Sequence, residues 1–138
     1  MLRYPRTVDE IHTIVLEPRV TRAFWSARRA QHGAKLSLHV ETKYVPDRTP
    51  IDLEIWEDDS KEGSADDFIE ALPPQTKLER GRLVLEHEID WSAEALGRDL
   101  DLEGDDYEFY FKVKIPRFGV EARSTLLFVD LHPFQFSR

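Results

Sequence analysis

The sequence predicts an all-β protein in which two antiparallel sheets pack face to face as a β-sandwich. Residues 107–115 alternate strictly, with aromatic and β-branched side chains on one face, as in a half-buried strand. A single strand cannot bury five large side chains, so a second layer must cover that face. About seven such segments lie between turn signals, with one or two short helical turns. A small closed barrel is the competing architecture.

The first half of the chain contains the strands that are predicted from residues 10–17, with a short continuation at 23–26, and from 35–41 and 51–56. Pro18 ends the first strand because proline gives no donor to the ladder. Residues 28–33 are predicted as a connection that ends in a glycine turn. The Pro- and Asp-containing stretch 45–50 is typical of a turn.

The second half contains the strands that are predicted from residues 83–89, 107–115 and 120–131. The first of them is the second arm of a hairpin that turns at residues 79–82. Capping residues predict short helical turns over residues 65–71 and 92–96. The last strand has apolar residues on both faces, which indicates coverage on both sides or an exposed apolar patch. The 138 residues fit one β-sandwich domain, residues 1–138.

The net charge of −8 is unevenly distributed. Residues 1–50 contain nine Lys/Arg and five Asp/Glu. Residues 51–106 are strongly acidic, with five Lys/Arg and nineteen Asp/Glu. Residues 107–138 contain five Lys/Arg and three Asp/Glu. Charge runs usually form a solvated face. Because the acidic middle would repel a polyanion, we expect no nucleic acid among the partners.

The sequence also indicates in which cellular compartment the protein is expected. The chain has no cysteine, which excludes disulfides, thiolate nucleophiles and cysteine-based zinc sites. Its first ten residues lack the apolar core of a signal peptide, and no run approaches the length of a membrane span. We therefore expect a cytoplasmic protein without a membrane partner, although export that needs no signal peptide stays open.

Two acidic segments offer possible cation or catalytic sites. Residues 99–104 match the opening half of a calcium loop, but Tyr110 stands where the bidentate Glu belongs. Residues 57–67 contain six acids that could supply paired carboxylates, although such clusters are usually hydrated loops. Whether residues 57–67 or 99–106 bind a cation stays open, and we predict no metal site.

Catalytic motifs are missing from the sequence. The five histidines show no spacing of four residues that would suit zinc on a helix, and the chain has no Gly-x-Ser-x-Gly elbow and no glycine-rich phosphate loop. We therefore predict no catalytic residues, no cofactor and no enzymatic activity.

One basic concentration suggests a binding surface for an acidic protein partner, since Arg and Trp dominate interface hot spots. Its candidate residues are Arg22, Trp25, Arg28, Arg29 and His32, with Arg19 nearby. In the alternative interpretation Trp25 belongs to the core and the arginines pair with the acidic half of the same protein.

Residues 23–56 carry a pattern on Trp25-Ser26, Ala30, Gly33, residues 36–40, Asp47 and residues 51–55. It resembles the Ig-like or transthyretin-like β-sandwich accessory domains of bacterial type VI secretion spike proteins and related cell-wall-associated proteins. The resemblance implies an adaptor or spacer that binds a protein partner or polymer. Those domains have glycine after the Asp of the turn, whereas this chain has Arg48.

Three hypotheses of function follow. The first is a non-enzymatic protein-binding adaptor or structural module, for which the resemblance implies an association with a bacterial secretion apparatus. The second is an acidic inhibitor or immunity-type protein whose segment 57–67 blocks a basic partner. The third is self-association through an exposed edge strand or through Phe134 and Phe136 in the tail.

Overall fold

A computed structural model describes residues 16–59, 65–89 and 107–130. Nine strands lie in these ranges, and a 3-10 helix, Pro116–Phe118, follows the seventh. In chain order the strands are β1 (Arg19–Trp25), β2 (Arg29–Gln31), β3 (Lys35–Lys43), β4 (Asp52–Glu57), β5 (Asp67–Ala71), β6 (Arg82–Glu88), β7 (Tyr107–Ile115), β8 (Val120–Arg123) and β9 (Leu127–Asp130). None of the described residues forms a helix that is long and apolar enough to cross a membrane.

The strands form two sheets whose apolar faces meet in one core. Sheet 1 has the order β1-β3-β6, and sheet 2 has the order β2-β9-β7-β4-β5, with β8 beside the second half of β7. The predicted all-β sandwich is confirmed. The predicted antiparallel pairing is wrong at one place, because β2 runs parallel to β9. Only three residues separate β1 from β2, so β2 continues in the direction of β1 as the chain crosses between sheets.

The core follows the alternation that the sequence predicts. Phe109, Phe111, Val113 and Ile115 of β7 are completely buried between the sheets. Trp25 from sheet 1 packs edge-to-face on Phe111, with ring centroids 5.2 Å apart. Each large aliphatic or aromatic side chain that is buried in this way contributes about 1.5–3 kcal/mol relative to exposure, so the central strand anchors both layers.

One predicted helical segment is a strand in the structure. Residues 67–71 form strand β5 instead of helical turns, because they pair with β4 and place Phe68 beside Trp56. Pairing with an existing sheet edge outweighs the local capping signal. The predicted helical turn at residues 92–96 and most of the predicted strand at residues 10–17 lie outside the described residues.

The predicted last strand is two strands, β8 and β9. Ser124 lies between them: the Phe111 N–H donates to its Oγ at 2.9 Å, and the Ser124 N–H donates to the Phe111 carbonyl at 2.8 Å. This exchange ends β8 and lets the chain re-enter beside the first half of β7 as β9. In β9, Leu127 and Val129 point into the core and Phe128 points outward, so apolar residues on both faces are confirmed there.

Strand register separates two ends of the sandwich. At one end Arg19 lies opposite Lys43, and we call this the cleft end. At the other end Lys35 lies opposite Glu88, and Glu57 lies opposite Asp67. We call the group formed by Glu57, Asp59, Asp66 and Asp67 the acidic end.

Candidate functional site

A tight turn before β6 helps to build the candidate site at the cleft end. The Glu79 N–H donates to the Arg82 carbonyl at 2.9 Å, and the Arg82 N–H donates back to the Glu79 carbonyl at 3.0 Å. Between them Arg80 and Gly81 both have positive φ, +52° and +78°. Two successive residues with positive φ define a type I′ hairpin turn, which confirms the hairpin turn predicted at residues 79–82.

This turn is held against the loop between β3 and β4. The Thr42 N–H donates to the Gly81 carbonyl at 2.7 Å, and the Arg80 N–H donates to Asp47 Oδ1 at 2.9 Å. A Cβ at position 81 would lie 2.8 Å from the Thr42 carbonyl oxygen. Only glycine therefore allows this close approach, which fixes Arg80 beside the loop.

An open cleft of about 670 Å³ lies between the turn and the loop. We call it the basic cleft, and its lining residues are 42–47, Arg80 and Gly81. The Tyr44 side chain is 47% exposed. The Arg19 guanidinium lies 5.5 Å from the centre of its ring. Tyr and Arg are the residue types that interfaces favour as anchors.

The cations of the basic cleft form no ion pair with a described carboxylate. Lys43 and Arg80 line it and Arg48 follows directly in the loop. Within the three described ranges these cations make no ion pair shorter than 4.0 Å, whereas the Asp47 carboxylate accepts the Arg80 backbone N–H. An anionic group that enters the cleft would meet Lys43 and Arg80, which form no ion pair with a described carboxylate, although the Asp47 carboxylate also belongs to the lining.

Backbone strain concentrates at the same place. Among the described residues, three non-glycine residues have positive φ: Tyr44 at +61°, Arg48 at +66° and Arg80 at +52°. All three belong to the cleft loop or to its turn. Such conformations cost about 1–2 kcal/mol for a residue with a Cβ, and they cluster at functional sites.

The outer face of sheet 2 carries a second group of aromatic and charged residues. Phe68, Trp56 and Tyr110 lie side by side on three neighbouring strands. The Lys112 ammonium lies 4.0 Å from the Trp56 ring centre, and the Arg123 guanidinium lies 4.1 Å from the Tyr110 ring centre. These cation–π contacts cover two of the three rings, and Phe68 remains 52% exposed.

Ion pairs neutralise the cations of this face. Lys114 Nζ lies 3.2 Å from Glu54 Oε2, and Lys112 Nζ lies 3.9 Å from a Glu121 carboxylate oxygen. Burial by itself raises the pKa of Glu54. The hydrogen bonds from Trp56 and Lys114 and the two lysine charges together outweigh burial and hold that pKa below its ordinary value. The face is therefore electrostatically satisfied, unlike the basic cleft.

At the acidic end Asp66 organises the connection between β4 and β5. Its carboxylate accepts the Asp59 backbone N–H at 3.0 Å and the Tyr110 hydroxyl at 2.7 Å. Arg123 pairs with the same carboxylate at 3.7 Å. Tyr110 is almost fully buried, and this burial together with the hydrogen bond to Asp66 raises its pKa well above the ordinary value.

Three carboxylates at the acidic end could share a cation. Oxygen atoms of Glu57, Asp59 and Asp67 all lie within 4.8 Å of one another, and Glu57 is buried. Carboxylate oxygens suit calcium or magnesium. Exposed acidic groups often cluster without an ion, so the absence of a metal site stays a prediction. The second acidic segment, residues 99–106, lies outside the described residues.

The structure separates the residues that the sequence predicts as a binding surface. Trp25 is 4% exposed and belongs to the core, which matches the alternative interpretation for that residue. Arg22 lies on sheet 1, 3.6 Å from Glu41 and over the Phe24 ring. The other three lie around β2: Arg28 and His32 are exposed, and Arg29 sits over the Phe128 ring at 5.4 Å. Binding by these residues stays a prediction.

Sequence reasoning missed the basic cleft. Residues 45–50 and 79–82 are each recognisable as turns, but only the fold shows that they meet. The local sequence shows only that Arg80-Gly81 suits a hairpin turn and that Asp47 suits a loop. Neither pattern predicts the hydrogen bond between Arg80 and Asp47, which lie 33 residues apart in the sequence.

Comparisons with known proteins assign no family. No protein-family profile matches the chain, and no curated protein matches its sequence. Among solved structures, a superoxide reductase (neelaredoxin) from Ignicoccus hospitalis is similar at 11% identity and a TM-score of 0.42, over 82% of this chain and 80% of that chain. The alkylpurine DNA glycosylase AlkC from Pseudomonas fluorescens, bound to DNA containing an abasic site analogue, is similar at 13% identity and a TM-score of 0.43. That likeness covers 84% of this chain but 31% of the glycosylase.

These structures correct one prediction. The sequence predicted that the chain is not an enzyme, and this is contradicted because the similar solved structures include a reductase and a glycosylase, both enzymes. We withdraw the prediction. At such TM-scores and identities the likeness transfers no activity, substrate or cofactor to this chain.

Proposed function

We propose that the protein is a binding module that captures an acidic segment of a partner protein in the basic cleft. The observation that carries the proposal is the coincidence of three features in one place. The cleft is open, Lys43 and Arg80 form no ion pair with a described carboxylate, and Tyr44 presents an exposed ring.

Rigidity of the cleft supports this proposal. The turn and the loop are joined by hydrogen bonds at Thr42 and Asp47, and the turn admits only glycine at position 81. A site that is already ordered loses little conformational entropy when a ligand binds. An acidic segment would therefore meet cations on an ordered backbone, and complementary charge would also speed its association.

An adaptor role is consistent with the resemblance of residues 23–56 to accessory domains of type VI secretion spike proteins. On that hypothesis the partner is a component of a bacterial secretion apparatus, and the two proteins meet in the cytoplasm. Both points are part of the proposal. The main claim is that the cleft binds an acidic segment, and this claim can be tested without knowing the partner.

The test is fluorescence anisotropy with a short labelled peptide of Asp and Glu residues around one Tyr. We expect binding that weakens as salt rises, because screening shortens the range of the attraction. Lys43→Glu and Arg80→Glu should each weaken binding by about tenfold. Lys35→Glu is the matched control, since Lys35 and Lys43 are the first and last residues of β3 and both are exposed.

Three outcomes would count against the cleft. An equal loss in the Lys35→Glu control would indicate unspecific attraction. Loss in an Arg28→Glu and Arg29→Glu variant, with the cleft variants unchanged, would move the site to the surface predicted from the sequence. No binding of the peptide at low salt would refute the proposal.

A second candidate function is inhibition of a basic partner through the acidic end. The close group of Glu57, Asp59 and Asp67 favours it, because three carboxylates within 4.8 Å of one another concentrate negative charge at this end. We expect a labelled oligolysine peptide to bind the wild-type protein and to bind Asp59→Asn with Asp67→Asn less tightly. If both proteins bind it equally, this candidate fails.

A further inference from the structure

Three cations lie side by side across the cleft end of sheet 1. Arg19 of β1 is directly opposite Lys43 of β3. On the other side of β3 the ladder with β6 continues into the hairpin turn, because the Thr42 N–H donates to the Gly81 carbonyl at 2.7 Å. The next position of the same register places Arg80 beside Lys43, and both residues line the basic cleft. We call Arg19, Lys43 and Arg80 the cation row.

The neighbouring row of sheet 1 has the same arrangement with a different residue in the middle. There Glu41 of β3 lies opposite Arg22 on one side and opposite Arg82 on the other. Arg22 Nη1 is 3.6 Å from Glu41 Oε2, so the fold itself supplies the anion between two arginines. The cation row has a lysine in that middle position. Because like charges that face each other destabilise a strand pair, the row requires an anion from elsewhere.

Two carboxylates lie near the cation row without neutralising it. Asp47 lines the cleft and accepts the Arg80 backbone N–H at 2.9 Å, and Glu79 precedes Arg80 in the turn. Among the described residues, neither carboxylate forms an ion pair within 4.0 Å with a cation of the row. The row and Arg48, which follows Asp47, carry four positive charges against these two negative ones. An excess of two positive charges therefore remains.

We propose that the acidic segment bound by the basic cleft carries a phosphoryl group, and that this group contacts the cation row. The inference rests on the proposed function and specifies the ligand of the same site. A phosphoryl group carries a charge of about −1.5 to −2 at pH 7 and has three acceptor oxygens. One such group therefore matches the excess charge and can accept hydrogen bonds from three cations at once. A carboxylate offers one charge and two oxygens.

The arginines and the tyrosine beside the row favour this ligand. The planar guanidinium of arginine binds phosphate through two parallel hydrogen bonds, and the row contains two arginines. The Arg19 guanidinium lies 5.5 Å from the centre of the Tyr44 ring, which is exposed and stands directly after Lys43. The ring is thus available to a residue that neighbours the phosphoryl group. A nucleic acid fits less well, because its many phosphates would be repelled by a chain of net charge −8.

Fluorescence anisotropy with two peptides of equal net charge tests the proposal. The first is the acidic peptide used for the proposed function. In the second, one phosphoserine and one serine replace two adjacent Glu residues. We expect the phosphoserine peptide to bind about tenfold more tightly, since it concentrates in one group the charge that two carboxylates spread over two side chains.

Variants of two neighbouring rows locate the effect. Lys43→Gln removes the middle cation of the row, and we expect the preference for the phosphoserine peptide to disappear. Arg82→Gln is the matched control, because Arg82 is also exposed but belongs to the row that contains Glu41. It should leave the preference unchanged. Thermal unfolding checks that both variants fold. Arg19→Gln, at an exposed position on the other side of the row, replaces Lys43→Gln if that variant does not fold.

The outcomes separate this inference from the proposed function. Equal affinity for the two peptides would overturn the inference, as would a preference that Lys43→Gln retains. Binding of the acidic peptide that Arg80→Glu weakens would leave the proposed function standing in either case. Inorganic phosphate at constant ionic strength is the last arm: if it alone binds as tightly as the phosphoserine peptide, the ligand is free phosphate and the phosphorylated segment is refuted. If neither peptide binds at low salt, both proposals fail.

Discussion

The two ends of the sandwich handle charge in opposite ways. At the acidic end the Asp66 carboxylate stabilises the fold. It accepts hydrogen bonds from a backbone N–H and from the buried Tyr110 hydroxyl, and it pairs with Arg123. At the cleft end Lys43 and Arg80 form no ion pair with a described carboxylate, and Arg80 and Tyr44, the residue after Lys43, have positive φ.

The difference teaches where to look for a binding site in this molecule. The sequence concentrates acids in residues 51–106, yet some of these carboxylates, such as Asp66, are paired within the fold. At the cleft end Lys43 and Arg80 are instead exposed, on a turn and a loop that backbone hydrogen bonds join. Strain and unpaired charge both lower stability, and such features cluster where a protein binds or reacts.

The largest expected effect breaks the close approach at the cleft end. Gly81→Ala places a Cβ 2.8 Å from the Thr42 carbonyl oxygen at a φ of +78°, so we expect a loss of about 3 kcal/mol in the free energy of unfolding. Gly33→Ala is the matched control. Gly33 also has positive φ, +94°, but nothing lies within 4 Å of its Cβ, so about 1 kcal/mol should be lost there.

Urea unfolding of both variants measures the difference. If the two losses are equal, the contact between the turn and Thr42 contributes nothing beyond backbone strain. The basic cleft would then be less rigid than the hydrogen bonds indicate, and the entropic support for the binding proposal would fall.

The next effect contrasts one tyrosine at each end. Tyr110→Phe removes the hydroxyl that donates to Asp66, and we expect a loss of about 1–2 kcal/mol because the carboxylate stays behind partly buried. Tyr44→Phe is the control. Its ring is 47% exposed, so stability should change by less than about 0.5 kcal/mol.

A double-mutant cycle with Asp66→Asn isolates the pair at the acidic end. We expect a coupling of about 0.5–2 kcal/mol between positions 66 and 110, as is usual for residues in one hydrogen-bond network. Additive losses would show that the 2.7 Å hydrogen bond does not organise the acidic end.

A smaller effect depends on pH and concerns Glu54, the carboxylate that pairs with Lys114. Its pKa is lowered in the folded state, so its contribution to stability is present above the ordinary value of 4.5 and is lost as pH falls through the folded pKa. Glu54→Gln should therefore destabilise the protein at pH 7 by no more than about 1 kcal/mol. The difference from wild type should shrink below pH 4.5.

Thermal unfolding between pH 3 and pH 7 checks this prediction. Glu17→Gln, a change at an exposed position outside the strands, corrects for the removal of one negative charge. A difference between wild type and Glu54→Gln that stays constant across this range would contradict the prediction. It would show that the pairing with Lys114 does not persist in solution.

Local pattern predicted much of this fold, and contacts distant in sequence decided the rest. β3, β4 and β7 follow from alternation, because one face of each strand must be buried. β5 does not, since Ser64 and the acids after it give a helical signal that only pairing with β4 overrides. β2 was also missed as a strand, because three residues show no periodicity.

The candidate site was less predictable than the fold. A charge pattern indicated a basic surface around Trp25, but the aromatic residue of that pattern is needed in the core. Sequence proximity of basic residues says little about which of them share a surface. The basic cleft instead joins two turns, and the Asp47 carboxylate that links them could be recognised only as a turn residue.

The smallest effect concerns Arg48, where the resembling domains have glycine. Its φ is +66°, a conformation in which a Cβ costs energy. We expect Arg48→Gly to raise the free energy of unfolding by about 0.5 kcal/mol, since relief of strain is partly offset by the greater freedom of glycine in the unfolded chain. Arg48→Ala removes the same charge but keeps the Cβ, so it should give no gain.

The difference between these two variants therefore measures strain, and their common effect on peptide binding measures the charge. If both variants bind the acidic peptide as tightly as wild type, Lys43 and Arg80 suffice for capture. If both weaken it equally, Arg48 contributes its charge to the basic cleft. In that case a charged side chain is held in a strained position that glycine would occupy at lower cost, which would favour a functional reason for its departure from the resembling pattern.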